Sequence, residues 1–214
     1  MAERLDVRET IVVVHGIWHK ESDFVLLRQR LKRSGYAVKQ FRYPSVRYSV
    51  QQNAARLQRF LHRVEGDVVH FVAHSLGGLV VRQLFHDFPQ QRPGRIVTLG
   101  SPHQGSAVAR TLHRHTYGRW LVGRSVEGGL AGDVPSWQAE HDIGVIAGTM
   151  GLGVGWLVAP LSGPNDGTVT LTEAQLDSAT DYITLPCSHI GLLFSTSVTR
   201  QICAFLENGR FVHS

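Results

Sequence analysis

Three residues far apart in the chain have the types and the order of a serine-based catalytic triad: Ser75, Asp166 and His189. A serine hydroxyl is a weak nucleophile at neutral pH, so it needs a histidine to take its proton and an acid to orient that histidine. A serine activated in this way can attack an electrophilic carbon. The three residues therefore predict nucleophilic catalysis by a serine.

Ser75 stands at a sharp turn between two apolar segments. Residues 68–73 have the β-branched, apolar character of a buried parallel strand, and the segment from Leu76 to Phe88 is typical of a helix that ends before a proline. This strand, turn and helix form the context that a nucleophile elbow requires, because the turn lifts the hydroxyl clear of the sheet. Gly77 and Gly78 leave room for the helix to close on the strand.

The acid and the histidine each follow a predicted strand. Asp166 comes after the strand at residues 143–147, and His189 comes after the strand at residues 182–185. Loops at the carboxyl ends of parallel strands build the ligand site in open α/β sheets, so both residues are expected near the serine. Glu173 is a rival for the role of the acid, and the sequence does not decide between it and Asp166.

Two backbone N–H groups are expected to stabilise the oxyanion of the tetrahedral intermediate. One belongs to Leu76, directly after the nucleophile, and the other to Ile17, in the loop after the first strand. The side chains of Trp18 and His19 would then border the acyl site.

A glycine-rich apolar stretch, Met150–Leu161, leads from the fifth strand toward the acid. Loops are usually polar, so Met150 and Trp156 are interpreted as substrate-binding residues in an acyl groove or lid. The alternative is that these side chains only cover the sheet. The sequence leaves both interpretations open.

Strands and helices alternate along the chain, which predicts an α/β fold with about six parallel strands and helices on both faces. The predicted strands cover residues 10–15, 36–43, 68–73, 95–99, 143–147 and 182–185. The predicted helices cover residues 24–34, 76–88 and 106–121, with another that begins at a Ser49–Gln52 capping box and a last one that ends at Asn208-Gly209. We expect one domain over residues 1–214, with a longer variable segment at about 106–165 around the mouth of the active site.

Composition excludes several classes of protein. The chain has 214 residues, of which 43% are hydrophobic and 18% charged, and this is typical of a globular domain. Its densest basic group, at residues 28–33, fits a solvated helix face, so no nucleic-acid partner is expected despite the net charge of +5. Two cysteines and twelve histidines without ligand spacing predict no disulfide framework and no metal site.

The N-terminal residues Met1–Asp6 contain no apolar stretch of the kind that a secretory signal needs. This predicts a cytoplasmic protein, although a chain that had lost its signal would look the same. The positive charge predicts a transient contact with lipid surfaces, and the sequence does not indicate an oligomeric state.

Several stretches resemble the α/β-hydrolase lipases, and in particular the minimal bacterial lipases of the Bacillus type. They are Val13–Ile17, Val72–Gly78, Val97–Gly100 and His189–Ser195. Ala73 departs from the general G-x-S-x-G pattern but is usual in that group. Two further loops, at residues 101–106 and 165–169, resemble those of larger bacterial lipases and lipase-like deacylases.

The resemblance implies a compact α/β-hydrolase fold and a cofactor-free esterase or lipase that acts through Ser75, Asp166 and His189 on small-molecule or lipid esters. One alternative is acyl transfer to an alcohol from the same intermediate. Another is a non-catalytic binding protein on the same fold, since a fold does not fix a function. The chain is longer than the minimal lipases between Ser101 and Asp166, which leaves the substrate range open.

Overall fold

The computed structural model describes residues 8–133, 135–153 and 155–213, apart from the side chains of Trp156 and Leu157. The segment Met1–Asp6, on which the expected location in the cell was based, lies outside the described residues.

One sheet of six strands forms the centre of the structure. The strands are β1 (Glu9–Val14), β2 (Ala37–Phe41), β3 (Val68–His74), β4 (Ile96–Leu99), β5 (Ile143–Gly148) and β6 (Asp181–Leu185). They lie in the order β2-β1-β3-β4-β5-β6, and every neighbouring pair is parallel. The α/β class and the predicted strands are confirmed, with boundaries that differ by one or two residues.

Helices cover both faces of the sheet. They are α1 (Val25–Arg33), α2 (Val50–Leu61), α3 (Leu76–Asp87), α4 (Ala107–Arg114), α5 (Thr116–Val122), α6 (Gly155–Val158), α7 (Leu171–Ala174), α8 (Gly191–Phe194) and α9 (Thr196–Asn208), with 3-10 turns at Glu21–Phe24 and Gly123–Val126. Alternate residues of β1 point to opposite faces. Val12 and Val14 pack with α2 and α3, whereas Ile11 and Val13 pack with α1 and α9.

The predicted helix ends follow from local chemistry. Ser49 caps α2 by accepting a hydrogen bond from the Gln52 N–H at 3.3 Å, while the Gln52 side chain accepts one from the Ser49 N–H at 3.2 Å. At the end of α9, Gly209 adopts a left-handed conformation with φ of 73°. Both ends agree with the prediction.

The predicted helix at residues 106–121 is instead two helices, α4 and α5, which are separated at His115. The second helix folds back against the first, because Gly118 packs on the backbone of Leu112. A Cβ on Gly118 would lie only 2.1 Å from the Leu112 carbonyl oxygen. The apolar loop predicted after β5 likewise contains a short helix, α6.

Candidate active site

Ser75 occupies the turn between β3 and α3 in a strained backbone conformation. Its φ is 53° and its ψ is −124°, a region that residues other than glycine rarely adopt. The turn is anchored by the Ser75 N–H, which donates to the Leu99 carbonyl at 2.9 Å. The surrounding structure therefore forces the serine to the carboxyl edge of the sheet, as a nucleophile elbow would.

The two glycines after the serine let α3 pack against the sheet without any intervening side chain. A Cβ on Gly77 would lie 2.4 Å from the Val14 carbonyl oxygen, and a Cβ on Gly78 would lie 2.7 Å from the Ser101 Cβ. Both distances are too short for real atoms. The predicted reason for the glycine pair is therefore confirmed by the packing.

Asp166 and His189 meet at the same edge of the sheet. The His189 Nδ1 lies 2.7 Å from the Asp166 Oδ2, and the two side chains are only 8% and 1% exposed. The second carboxylate oxygen, Oδ1, accepts hydrogen bonds from the N–H groups of Thr168 at 2.9 Å and Val169 at 2.7 Å. The carboxylate is therefore fixed on both sides and holds the imidazole by its Nδ1.

Two glycines that the sequence analysis did not connect with the acid make room for this pair. Gly100 has a φ of 55°, and a Cβ there would lie 2.9 Å from the Asp166 Oδ2 and 3.1 Å from the His189 Nδ1. A Cβ on Gly148 would lie 2.8 Å from the Asp166 Cβ. Glycines at the ends of adjacent strands, directly before candidate catalytic loops, were the signal that could have revealed this arrangement.

Ser75 and His189 line one cavity. Among the described residues, however, no hydrogen bond joins the Ser75 hydroxyl to the His189 imidazole. Such bonds are often long in the absence of substrate and tighten when it binds.

The rival acid, Glu173, is used elsewhere. Its Oε1 accepts from the Ala107 N–H at the start of α4, and its Oε2 accepts from the Thr170 N–H at 2.9 Å and the Thr170 hydroxyl at 3.1 Å. These bonds cap α4 and α7. The carboxylate that contacts His189 belongs to Asp166, so the geometry favours Asp166 over Glu173.

The two predicted oxyanion donors have free N–H groups. Within the described ranges, neither Ile17 nor Leu76 donates its backbone N–H to another protein group. Leu76 is the first residue of α3, where the helix dipole favours negative charge. Ile17 lines the same cavity as Ser75.

Trp18 connects the oxyanion loop to α5. Its backbone is strained, with φ of 59°, and its N–H donates to the Ser45 hydroxyl at 3.3 Å. Its indole N–H donates to the Leu121 carbonyl at 2.9 Å. The residue is 53% exposed and lines the cavity.

The cavity measures about 490 Å³, and most of its lining is apolar. The α4–α5 segment contributes Val108, Ala109, Leu112, Leu121 and Val122, and the stretch after β5 contributes Leu152, Gly153, Gly155 and Val158. Met150 does not line it and is 42% exposed. Trp156 lies on α6, but its side chain is outside the described residues.

His74 and His19 pack beside the catalytic candidates. The sequence analysis placed His19 at the border of the acyl site and assigned His74 no role. His74 is fully buried, and burial holds its pKa well below the ordinary value, so its neutral ring donates from Nε2 to the His189 carbonyl at 3.0 Å. Its ring centroid lies 4.6 Å from that of His189 and 4.8 Å from that of His19. The His19 Nδ1 lies 2.9 Å from the Asp23 Oδ2, and the i,i+4 spacing of this pair was the available signal.

No group of three or more His, Cys, Asp or Glu side chains in the described part of the chain is arranged to hold a metal ion. The helices in the same ranges are all too short or too polar to cross a membrane.

Comparison with solved structures gives the fold. Bacillus licheniformis lipase BlEst2 in its mature form has a TM-score of 0.75 and 22% identity, over 94% of this chain and 92% of that one. The metagenomic carboxyl esterase MGS0156 has a TM-score of 0.67 and 17% identity, over 86% of this chain and 65% of that one. The RedJ thioesterase from the prodiginine biosynthetic pathway in Streptomyces coelicolor has a TM-score of 0.64 and 15% identity, over 94% and 86%.

A search among curated proteins found no match. One family model, described as "Domain of unknown function (DUF7379)", matches residues 3–122, which is more than half of the chain. These residues contain the loop after β1, the turn at Ser75 and the helices α4 and α5 of the cavity wall. The chain therefore belongs to the DUF7379 family, a domain of unknown function, and it has the α/β-hydrolase fold of the lipases and esterases.

Proposed function

We propose that this protein is a serine hydrolase that cleaves carboxylic esters. The observation that carries the proposal is the buried Asp166–His189 pair, which lies on the same cavity as a serine in a strained turn. Neighbouring structures described as a lipase, a carboxyl esterase and a thioesterase support the same class of acyl chemistry.

In the proposed reaction, the Ser75 Oγ attacks the ester carbonyl while the His189 Nε2 takes the hydroxyl proton. Asp166 accepts the hydrogen bond from Nδ1–H and stabilises the imidazolium that forms. The N–H groups of Ile17 and Leu76 stabilise the oxyanion. The tetrahedral intermediate then collapses, and the alcohol leaves with the proton from His189.

The second half of the reaction removes the acyl group from Ser75. Water attacks the acyl-serine carbonyl and gives its proton to the His189 Nε2. When this second tetrahedral intermediate collapses, His189 returns the proton to the serine oxygen and the carboxylic acid leaves. An alcohol in place of water would give acyl transfer, which is the alternative activity for the same intermediate.

The apolar cavity supports an acyl chain as the part of the substrate that is buried. Each methylene group removed from water contributes about 0.8 kcal/mol, so esters of medium-chain acids should bind better than acetyl esters. Trp18 and Leu152 are proposed as contacts with the substrate. For Trp156 this role stays a prediction, and Met150 has no contact with the cavity that would support it.

A transient contact with lipid surfaces is supported by α5. Tyr117 is 90% exposed and Trp120 is 81% exposed, on a helix whose Leu121 reaches the cavity. Arg114 and Arg119 are exposed on the same segment, and basic side chains beside aromatic ones suit an anionic lipid surface.

The test is a panel of esters from acetyl to palmitoyl, both soluble and emulsified, run with and without a competing alcohol. A fluorophosphonate should label the chain at Ser75, as mapped by mass spectrometry of its peptides. Hydrolysis with labelling at Ser75 is the expected result. Dominant ester products in the presence of the alcohol would indicate a transferase, and the absence of both turnover and labelling would leave a binding protein.

A further inference from the structure

A second acid–histidine pair lies next to the cavity, on the side of the loop after β1, and its histidine lines the cavity. It consists of Asp23 and His19, whose Oδ2 and Nδ1 atoms lie 2.9 Å apart. The His19 side chain is only 10% exposed, and it shares the cavity with Ser75 and His189. The proposed ester hydrolysis needs only one such pair, so the second one has no role in it.

The partner of His19 fixes its tautomer. A carboxylate only accepts hydrogen bonds, so the proton of the neutral ring lies on Nδ1 and the lone pair on Nε2. Burial lowers the pKa of His19, although the Asp23 carboxylate opposes this shift. Because the net effect is a lowered pKa, the ring is neutral at pH 7. The Nε2 is therefore an acceptor, and it has no hydrogen-bond partner in residues 8–133, 135–153 and 155–213.

The Cδ2 side of the His19 ring lies close to the elbow. The Cδ2 atom, which is bonded to Nε2, lies 3.1 Å from the place where a Cβ on Gly16 would stand, and that place is 2.9 Å from the Ser75 Cβ. The acyl-binding side of the cavity, formed by α4, α5 and α6, is apolar. An acyl chain carries no hydrogen-bond donor, whereas the alcohol part of an ester can carry one that matches Nε2.

We propose that the His19 Nε2 accepts a hydrogen bond from a second hydroxyl on the alcohol part of the substrate, and that the enzyme therefore prefers esters of diols or polyols over esters of simple alcohols. This inference rests on the proposed ester hydrolysis. It names His19 as a specificity-determining residue and Asp23 as the residue that positions it.

Two octanoate esters of nearly equal size test the proposal. The alcohol part of 2-hydroxyethyl octanoate ends in a hydroxyl, whereas that of propyl octanoate ends in a methyl group. The readout is the ratio of their kcat/KM values, which cancels any common change in active-site concentration or in deacylation. The unmodified enzyme should prefer the hydroxyethyl ester, and His19→Phe should lower the ratio three- to tenfold, as expected for the loss of one hydrogen bond.

Two further variants separate this role from a structural one. His19→Gln keeps an amide oxygen near the position of Nε2 and should restore part of the ratio. Asp23→Ala removes the oxygen that holds the proton on Nδ1 and should lower the ratio although His19 is still present. His113→Phe, at an exposed histidine of α4, is the matched control and should leave the ratio unchanged.

Three results would overturn the proposal. They are an equal preference of the unmodified enzyme for the two esters, an equal loss of both activities in His19→Phe, and an unchanged ratio in Asp23→Ala. Equal losses would assign His19 to a step common to both substrates. If the unmodified chain cleaves neither octanoate nor any ester of the panel, the proposed function itself fails, and this inference fails with it.

Discussion

The two edges of the sheet both carry acid–histidine pairs, but only the carboxyl edge has the other features of an active site. At the amino edge, His213 lies 2.9 Å from Asp181 with its side chain 56% exposed. At the carboxyl edge, His189 and Asp166 are almost completely buried. A cavity of about 680 Å³, larger than the one beside Ser75, is also at the amino edge. Its lining includes the charged residues Glu9, Arg95 and Asp142.

The polar groups at the amino edge form hydrogen bonds that hold the fold together. Asp181 also accepts the Phe211 N–H at 2.7 Å, and Arg95 donates to the Leu206 carbonyl at 2.6 Å, so both hold the end of α9 and the chain that follows it. At the carboxyl edge the N–H groups of Ile17 and Leu76 have no hydrogen-bond partner among the described residues. An acid–histidine pair or a large cavity alone is therefore poor evidence of an active site. A buried pair beside a serine in a strained turn, with unpaired backbone N–H groups nearby, is good evidence.

The largest effect should come from Ser75→Ala, which removes the nucleophile. We expect kcat to fall by about 10⁴-fold or more, with loss of fluorophosphonate labelling and an unchanged circular dichroism spectrum. Ser178→Ala, in the loop before β6 at the amino edge, is the matched control and should keep full activity. Labelling that persists in Ser75→Ala would show that another residue is the nucleophile.

Asp166→Asn should lower kcat by about 10³- to 10⁴-fold, because an amide no longer fixes the imidazole in the tautomer that accepts the serine proton. Asp142→Asn makes the same chemical change at the amino edge, where the carboxylate pairs with Arg95, and should leave kcat unchanged. Steady-state kinetics on a soluble ester measure both. A larger loss of kcat in Glu173→Gln than in Asp166→Asn would reverse the assignment of the acid.

Low pH should destabilise the protein more through His74, near the carboxyl edge of the sheet, than through His70, near the amino edge. The folded protein keeps His74 neutral because burial lowers its pKa, whereas the unfolded chain binds a proton there near pH 6.5, so the free energy of unfolding falls as the pH drops below that value. His74 alone should contribute about 1 kcal/mol between pH 6.5 and 5.5. Burial also lowers the pKa of His70, but the Glu9 carboxylate opposes that shift.

Urea unfolding at several pH values tests this difference. His74→Gln, which keeps an amide donor for the His189 carbonyl, should flatten the dependence of stability on pH. His70→Gln should flatten it less. If the two variants flatten the pH dependence equally, then burying His74 costs the protein no more stability at low pH than burying His70.

Leu152→Ser should change chain-length selectivity. The side chain lines the cavity but is 67% exposed, so its loss should affect binding more than folding. We expect the ratio of kcat/KM for octanoyl to acetyl esters to fall about fivefold, which corresponds to part of the burial energy of a leucine. Val212→Ser, at an exposed apolar residue near the amino edge, should leave the ratio unchanged. An equal loss for both esters would assign Leu152 to structure alone.

The smallest effect should come from Trp120→Ser. If α5 contacts lipid, this variant should lower the rate on emulsified esters about two- to threefold and leave the rate on dissolved esters unchanged. A parallel decrease in the two rates would contradict a surface contact. Leu26→Ser, on α1, is the matched control with an exposed apolar side chain outside the cavity.

The strands, the elbow and the buried face of α1 were predictable because each depends on neighbours in sequence. Phe24, Leu27 and Leu31 are fully buried, as their spacing indicates, and the glycines after Ser75 have the packing role that the motif implies. The candidate triad was predictable from chain order, because parallel strands bring their carboxyl ends to one edge.

What the sequence could not give depends on contacts between distant segments. The Glu173 carboxylate caps α4 at Ala107, which is 66 residues away in the sequence. No pattern near Glu173 in the sequence predicts that hydrogen bond. The break at His115 depends on how Gly118 packs against Leu112 in three dimensions. The free edge of His19 becomes meaningful only when Ser75 is seen beside it.

The hydrogen bond from the Trp18 indole to the Leu121 carbonyl has a consequence for protein engineering. It spans 103 residues and joins the loop that holds one oxyanion donor to the helix that forms part of the cavity wall. Suppose that α5 is exchanged for that of a relative with a different residue at position 18. The exchange would then alter the loop of Ile17 as well as the substrate range. Residues 17–18 and 116–122 form one module for recombination, and libraries that exchange them jointly should retain more active members than libraries that exchange either segment alone.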